Sequence, residues 1–461
     1  MVFSSLNFLF IFFPAVLIVY FLVPFRCKNA VLLLASLFFY AWGEPVYVIL
    51  MMLNIMLNYV IGLQMEAALS RHHRKRHLCA GIIVNLMLLG FFKYSGFLVQ
   101  IAGSLLGTQI AWKEPGLPIG ISFYTFQALS YVIDVYRGKV KVQTNLVDFA
   151  AYITMFPQLI AGPIVTYSQI ESQLRSRKTG LAGIGAGMER LILGLSKKVL
   201  LANSLGALYA QIQGMTSRSV LLAWLGAVAY TLQIYFDFSG YSDMAIGMGK
   251  ILGFKFPENF DFPYLADSIT MFWRKWHMTL SGWFRDYLYI PLGGNRKGPA
   301  RHILNLLIVW FLTGLWHGAG WNFVLWGLYY GILLIIEKYV LGNVLKKAPR
   351  LLKHIYTLFL VNLGWVLFSN TDFAQMTAYL GNMFGSGSAG FADSAFLYYL
   401  KSNLILLLLS ITACSPVFRK LLNKISRKSS VLAAVICLVL FLMCTAFLVY
   451  GSYNPFLYFR F

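Results

Sequence analysis

Residues 303–336, ILNLLIVWFLTGLWHGAGWNFVLWGLYYGILLII, decide the fold class. Two apolar runs meet at Gly318-Ala319-Gly320, and His317 stands at the junction. Basic clusters flank the pair, at 296–301 and 346–353. Short basic loops stay on the cytoplasmic side of a membrane, so the two runs are expected to go up and come back down. Each run is short, which sets the Gly-Ala-Gly turn at membrane depth. A polar side chain there is expensive and marks a functional site by default. The competing reading is a core histidine satisfied by a backbone carbonyl. Asn322, five residues on, fits an imidazole-orienting partner and a helix cap equally well.

The rest of the chain repeats this apolar character. Of 461 residues, 59% are hydrophobic, 16% aromatic and 12% charged, against roughly a quarter charged in a soluble domain. Apolar runs recur at 6–23, 220–235, 404–413 with its flanks, and 431–450. About 20 such residues cross ~30 Å of hydrocarbon as a helix. The predicted class is an all-α polytopic membrane protein with about ten or eleven spans. It is expected to form one membrane domain over 1–461, with N-terminal helices at 1–115, a catalytic core at 116–345 and C-terminal helices at 346–461. The first run lacks a basic leader and a small-residue cleavage site, so it reads as a retained span.

Net charge is +22, from 38 Lys and Arg against 16 Asp and Glu. Six short clusters (71–77, 137–141, 175–178, 296–301, 346–353 and 419–428) hold 22 of the 38. That pattern fits loops at the inner membrane face and argues against nucleic acid as the partner. With the N-terminus outside, successive clusters fall inside, and 371–399, with two Asp and no Lys or Arg, falls outside. Cys27, Cys79, Cys414, Cys437 and Cys444 show no CxxC spacing and read as small buried hydrophobes.

Two stretches resist reading as simple spans. The run within 142–173, broken at Gly162-Pro163, suggests a re-entrant hairpin, since irregular backbone survives in a membrane only inside protein or along a watery cavity. The run 188–201 places Arg190 and Lys197 on one helical face, as an interfacial helix or a span.

Polar residues concentrate at 233–322. Asp237 and Asp243, among glycine and hydroxyls, read as a loop capping the next helix as readily as a functional pair. The stretch 271–294 brings together Trp273, Trp276, Trp283, Arg274, Lys275, His277, Arg285 and Asp286. An interfacial belt explains its Trp and Arg but not His277 or Asp286. The other histidines lack metal-ligand spacing, and no HExxH or GxSxG occurs, so no metal centre or serine hydrolase is expected.

These motifs, with PIGISFYTFQALSYVIDVYRG (118–138), FPQLIAGPI (156–164), YFDFSGYSDMAIGMGKILGFKFPENFDFPY (235–264), WRKWHMTLSGWFRDYLYIPLGG (273–294) and GLWHGAGWNFVLWG (314–327), run nearly end to end. The chain resembles the membrane-bound O-acyltransferase (MBOAT) family, in the bacterial branch typified by alginate O-acetylation. The resemblance implies a ring of tilted helices around a funnel, with His317 catalytic and His277 its partner, 40 residues upstream. It further implies acetyl-CoA as cytoplasmic donor and an extracytoplasmic SGNH-type acetyltransferase, or a small membrane-anchored acceptor protein, as partner in decorating a polysaccharide.

Transfer from a thioester to a hydroxyl needs a base, an oxyanion partner and a dry cavity. An imidazole, with an ordinary pKa of ~6.5, suits the base. His317 is therefore expected to deprotonate the acceptor and His277 to orient or polarise. An acetyl-imidazole is a variant of the same scheme. Arg285 and Lys275 are candidates for holding donor phosphates, grouped with Trp276, Asp286, Tyr287 and Asn322 as donor-binding residues. No permanently bound cofactor is expected. D-alanyl transfer for teichoic acids, lipid O-acylation, and a non-enzymatic polysaccharide exporter or flippase are the rival readings.

Overall fold

In hydrocarbon every peptide group must be satisfied within the protein, by helices or closed barrels, and apolar runs of about 20 residues suit helices. A computed structural model describes residues 1–451 and 456–457, and every regular element among them is helical. Six helices are long and apolar enough to cross a bilayer: Tyr47–Ala67, Arg71–Leu106, Leu181–Gln213, Val220–Ile251, Arg350–Ser369 and Ser430–Tyr450. A seventh span arises if Ser394–Ser402 and Leu404–Ala413, bent by 60°, count as one. This multi-pass, all-α membrane architecture is the expected class. The tally differs from ten or eleven for a physical reason. Phe25–Ala41 and Ile121–Tyr136 have 17 and 16 residues, and the 19-residue helices Pro299–His317 and Trp321–Tyr339 carry Arg301, His302, Asn305 and Glu337.

Two readings that the sequence left open are narrowed here. Asp237 and Asp243 do not sit in a loop, because helix Val220–Ile251 runs through both without a break. Helix Leu181–Gln213 supplies their cations: Lys198 pairs with Asp237, and Arg190 donates to Asp243 from Nη2 at 2.8 Å and from Nε at 3.0 Å. Neutralised carboxylates leave no reason for the helix to stop. The same helix is 33 residues long, which favours a span for 188–201 over an interfacial segment.

The chain forms two compact units. The first comprises Met1–Leu191, Tyr241–Pro257 and the described part of the tail. Here Asn54, Asn58 and Asn85 bond one another between two spans, with Asn85 Nδ2 donating to Asn58 Oδ1 at 2.7 Å. The apolar run at 142–173 is broken as expected. Helix Leu146–Thr154 and the short Phe156–Leu159 give way to irregular backbone, and helix Tyr167–Arg175 follows. Arg177, expected in a solvated basic loop, is instead buried. It donates to Tyr20, Asn29, Leu252 and Gln173, and its guanidinium lies 4.3 Å from the centre of the Phe254 ring.

The second unit, Ile192–Gly240 with Glu258–Tyr450, contains the two histidine motifs. Its centre is the hairpin of Pro299–His317 and Trp321–Tyr339, turning at 318–320 as expected. Small residues let membrane helices approach closely. A Cβ at Gly314 would lie 2.3 Å from the Phe323 carbonyl oxygen, and one at Gly327 would lie 2.3 Å from that of Trp310.

Candidate active site

His277 is held by a break between two short helices. Ser268 caps Ile269–Lys275 by accepting from Met271 N–H, and the carboxylate of Glu337 accepts from Ile269 N–H at 2.6 Å and Thr270 N–H at 2.9 Å. Helix Arg350–Ser369 braces the same corner: Lys353 pairs with Asp267 at 3.1 Å and His354 donates to the Ala266 carbonyl at 2.9 Å. The helix stops at Trp276, whose ring is fully buried among Phe260, Phe272 and Trp365. The chain then reverses through His277, at φ 43° and ψ 53°, before Met278–Phe284 begins. A non-glycine residue in the left-handed region carries strain of order 1–3 kcal/mol and clusters at functional sites.

The imidazole of His277 is 1% exposed. Its Nδ1 lies 3.0 Å from Asn259 Oδ1, and the same oxygen accepts from Thr279 Oγ1 at 2.9 Å and Thr279 N–H at 3.4 Å. Backbone bonds lock the two strands of chain together, Asp261 N–H to Lys275 O and Met278 N–H to Asn259 O. Nε2 is buried and has no hydrogen-bond partner among the described residues. This segment lies outside the six spans, and burial pushes the imidazole down to about 3 from its ordinary 6.5.

His317 closes helix Pro299–His317 and is 2% exposed. Its ring stands edge-on to Trp326, Phe368 and Trp316, with centroids 4.9, 5.5 and 5.1 Å away. The His277 ring also packs against Trp316, at 5.9 Å, and against Phe238 at 4.6 Å. Trp316 is thus the shared wall of both imidazoles. Both imidazoles are enclosed by aromatic side chains and shielded from bulk water.

The other candidates spread outward. Arg285 is exposed and bonded to neighbouring Asp286 at 2.7 Å, and Lys275 pairs with Asp261 at 3.0 Å. Tyr287 is buried against Trp283. Asn322 donates to the Phe368 carbonyl at 3.3 Å. Among the described residues no group of His, Cys, Asp and Glu is arranged to hold a metal ion.

The family model for membrane-bound O-acyltransferases matches residues 139–378, which include both histidines, Asn259 and Glu337. The chain belongs to the membrane-bound O-acyltransferase family. It is similar to a protein named "Probable alginate O-acetylase AlgI" from Azotobacter vinelandii, 45% identical over 81% of this chain and 76% of the relative. It is 34% identical to the peptidoglycan O-acetyltransferase of Helicobacter pylori, over 91% of this chain and 87% of the relative. The teichoic acid D-alanyltransferase of Bacillus subtilis is 28% identical over 47% of this chain and 58% of the relative.

As an MBOAT protein the chain is a membrane acyltransferase, and the candidate site brings in two residues that the sequence did not single out. Asn259 lies in PENFDFPY, a stretch with nothing to distinguish one amide from a turn residue. Glu337 carried a readable signal: it is a lone carboxylate at the end of the long apolar run 321–336, where a charge needs a partner.

Proposed function

We propose that this MBOAT protein moves acetyl groups from acetyl-CoA, at the cytoplasmic face of a bacterial inner membrane, to a hydroxyl destined for an extracellular polysaccharide or cell-wall glycan. The observation that supports it most is the Trp316-walled pair of buried imidazoles, in a chain 45% and 34% identical to proteins named for alginate and peptidoglycan O-acetylation.

In this reading His317 takes the proton of the acceptor hydroxyl. The oxygen attacks the thioester carbonyl, a C–O bond forms, the C–S bond breaks, and the proton passes to the departing thiolate. His277 acts on the same reacting groups from the other side of Trp316. Lys275 and Arg285, which now face Asp261 and Asp286, would exchange those partners for donor phosphates. With the N-terminus outside, the acetyl group would leave toward an extracytoplasmic SGNH-type acetyltransferase or a small anchored acceptor.

The test uses the purified protein in lipid nanodiscs with its extracytoplasmic acetyltransferase partner, offered either radiolabelled acetyl-CoA or a D-alanyl-loaded carrier protein. Label transfer to a polysaccharide acceptor from acetyl-CoA alone is expected. Transfer from the D-alanyl carrier alone would replace acetyl with D-alanyl in this scheme, and turnover of neither donor would point to an exporter.

A further inference from the structure

The bonds around Asn259 determine which nitrogen of His277 bears the proton. Thr279 N–H can only donate, so the Asn259 atom facing it is the carbonyl oxygen. That oxygen can only accept, so His277 Nδ1, 3.0 Å away, must be N–H. In a neutral imidazole one nitrogen is a donor and the other an acceptor. Nε2 therefore carries the lone pair, and it is the nitrogen left without a partner among the described residues. Burial disfavours the imidazolium form that would put a proton on both.

We propose that Asn259 is a positioning residue that fixes His277 as its Nδ1–H tautomer, so that Nε2 offers only a lone pair to the reacting groups and cannot donate a hydrogen bond to the oxyanion. This rests on the acyl-transfer reading above and sharpens it. Orienting and polarising, left open by the sequence, separate here: His277 can accept a hydrogen bond but cannot polarise the carbonyl by donating one, and the oxyanion is stabilised by another group. The charged groups on the segments packed around the ring include Glu258 and Asp261 beside Asn259, Arg274 and Lys275 before His277, with Lys275 paired to Asp261, Asp237 paired with Lys198, and His317 beyond Trp316.

Two substitutions separate positioning from packing. Asn259→Asp keeps an oxygen for all three donors and adds a negative charge beside Nδ1–H, which favours the imidazolium. Asn259→Leu keeps the branched shape, at a somewhat larger volume, and removes the acceptor. Asn259→Leu is expected to lower kcat on the order of 100-fold or more with donor KM little changed. Asn259→Asp is expected to retain more turnover and to move the acid limb of the pH–rate profile upward.

A direct measurement accompanies them: 15N spectra of the intact protein labelled on histidine, with the His277 signals assigned by loss in His277→Gln. A protonated Nδ1 and an unprotonated Nε2 in the wild type are expected, and a protonated Nε2 would overturn the proposal. So would an Asn259→Asp variant whose acid limb does not move. The spectra need no substrate, so absence of acetyl transfer would count against the acyl-transfer reading and leave the tautomer to be judged by itself.

Discussion

The carboxylate of Glu337, near the end of one helix of the central hairpin, accepts the backbone N–H of Ile269, the first residue of the helix that leads to His277. It also takes the Thr270 N–H and, at 2.7 Å, the Thr270 hydroxyl. A negative charge at a helix N-terminus satisfies orphan donors and complements the helix dipole. The histidine segment is thereby tied to the hairpin that carries His317 at its turn. Glu337→Ala should destabilise the protein by about 1–3 kcal/mol for each buried donor left unpaired, and lower kcat by displacing His277. Glu337→Gln keeps one acceptor oxygen and should recover part of both. Thermal unfolding in detergent, beside turnover, checks this.

The hairpin depends on the absence of side chains at Gly314 and Gly327. Gly314→Val would drive atoms into the Phe323 carbonyl, 2.3 Å from the first carbon added, and the neighbouring backbone cannot yield cheaply. Loss of folded protein is expected, read by size-exclusion after extraction. Gly282→Ala, where a Cβ meets nothing within 4 Å, is the control and should behave as wild type.

Donor-site candidates should divide by burial. Arg285→Ala and Lys275→Ala remove exposed or half-exposed charges whose ion pairs contribute little to stability. If they hold phosphates, donor KM rises on the order of 10-fold with kcat unchanged, since about 1.4 kcal/mol of binding is a factor of ten. Trp276→Ala should instead cost about 3–5 kcal/mol of stability, because its ring is wholly inside the core. Steady-state kinetics and unfolding of the three variants separate the two outcomes.

Acid should destabilise the fold through His277. Its pKa is about 3 when folded and 6.5 in the ordinary state, so below pH 6.5 the unfolded chain binds a proton that the folded chain refuses. The stability contributed by the neutral ring is fully present above pH 6.5 and is lost as pH falls toward 3. His277→Gln lacks this term. Its melting temperature should fall less between pH 6.5 and 4 than that of the wild type, as measured by thermal scans across that range.

The membrane class, the 303–336 hairpin and the two histidine motifs were legible because apolar run length, loop charge and motif spacing are local properties of the chain. What was not legible depends on partners distant in sequence. Asp237 and Asp243 look like loop residues until Lys198 and Arg190 neutralise them from another helix. Arg177 reads as a solvated basic loop, yet Tyr20, Asn29 and Leu252 gather around it from far along the chain. Asn259 and His277 meet over 18 residues through a left-handed turn that no periodicity announces.

Acetyl transfer by the His317→Ala variant tests the central claim most directly. Wild type and variant, purified in nanodiscs and matched for folded content, are given radiolabelled acetyl-CoA, the extracytoplasmic partner and a polysaccharide acceptor. The wild type should label the acceptor, and His317→Ala should lose transfer on the order of 100-fold or more, the share a general base supplies. Undiminished transfer by a folded His317→Ala protein would contradict the account.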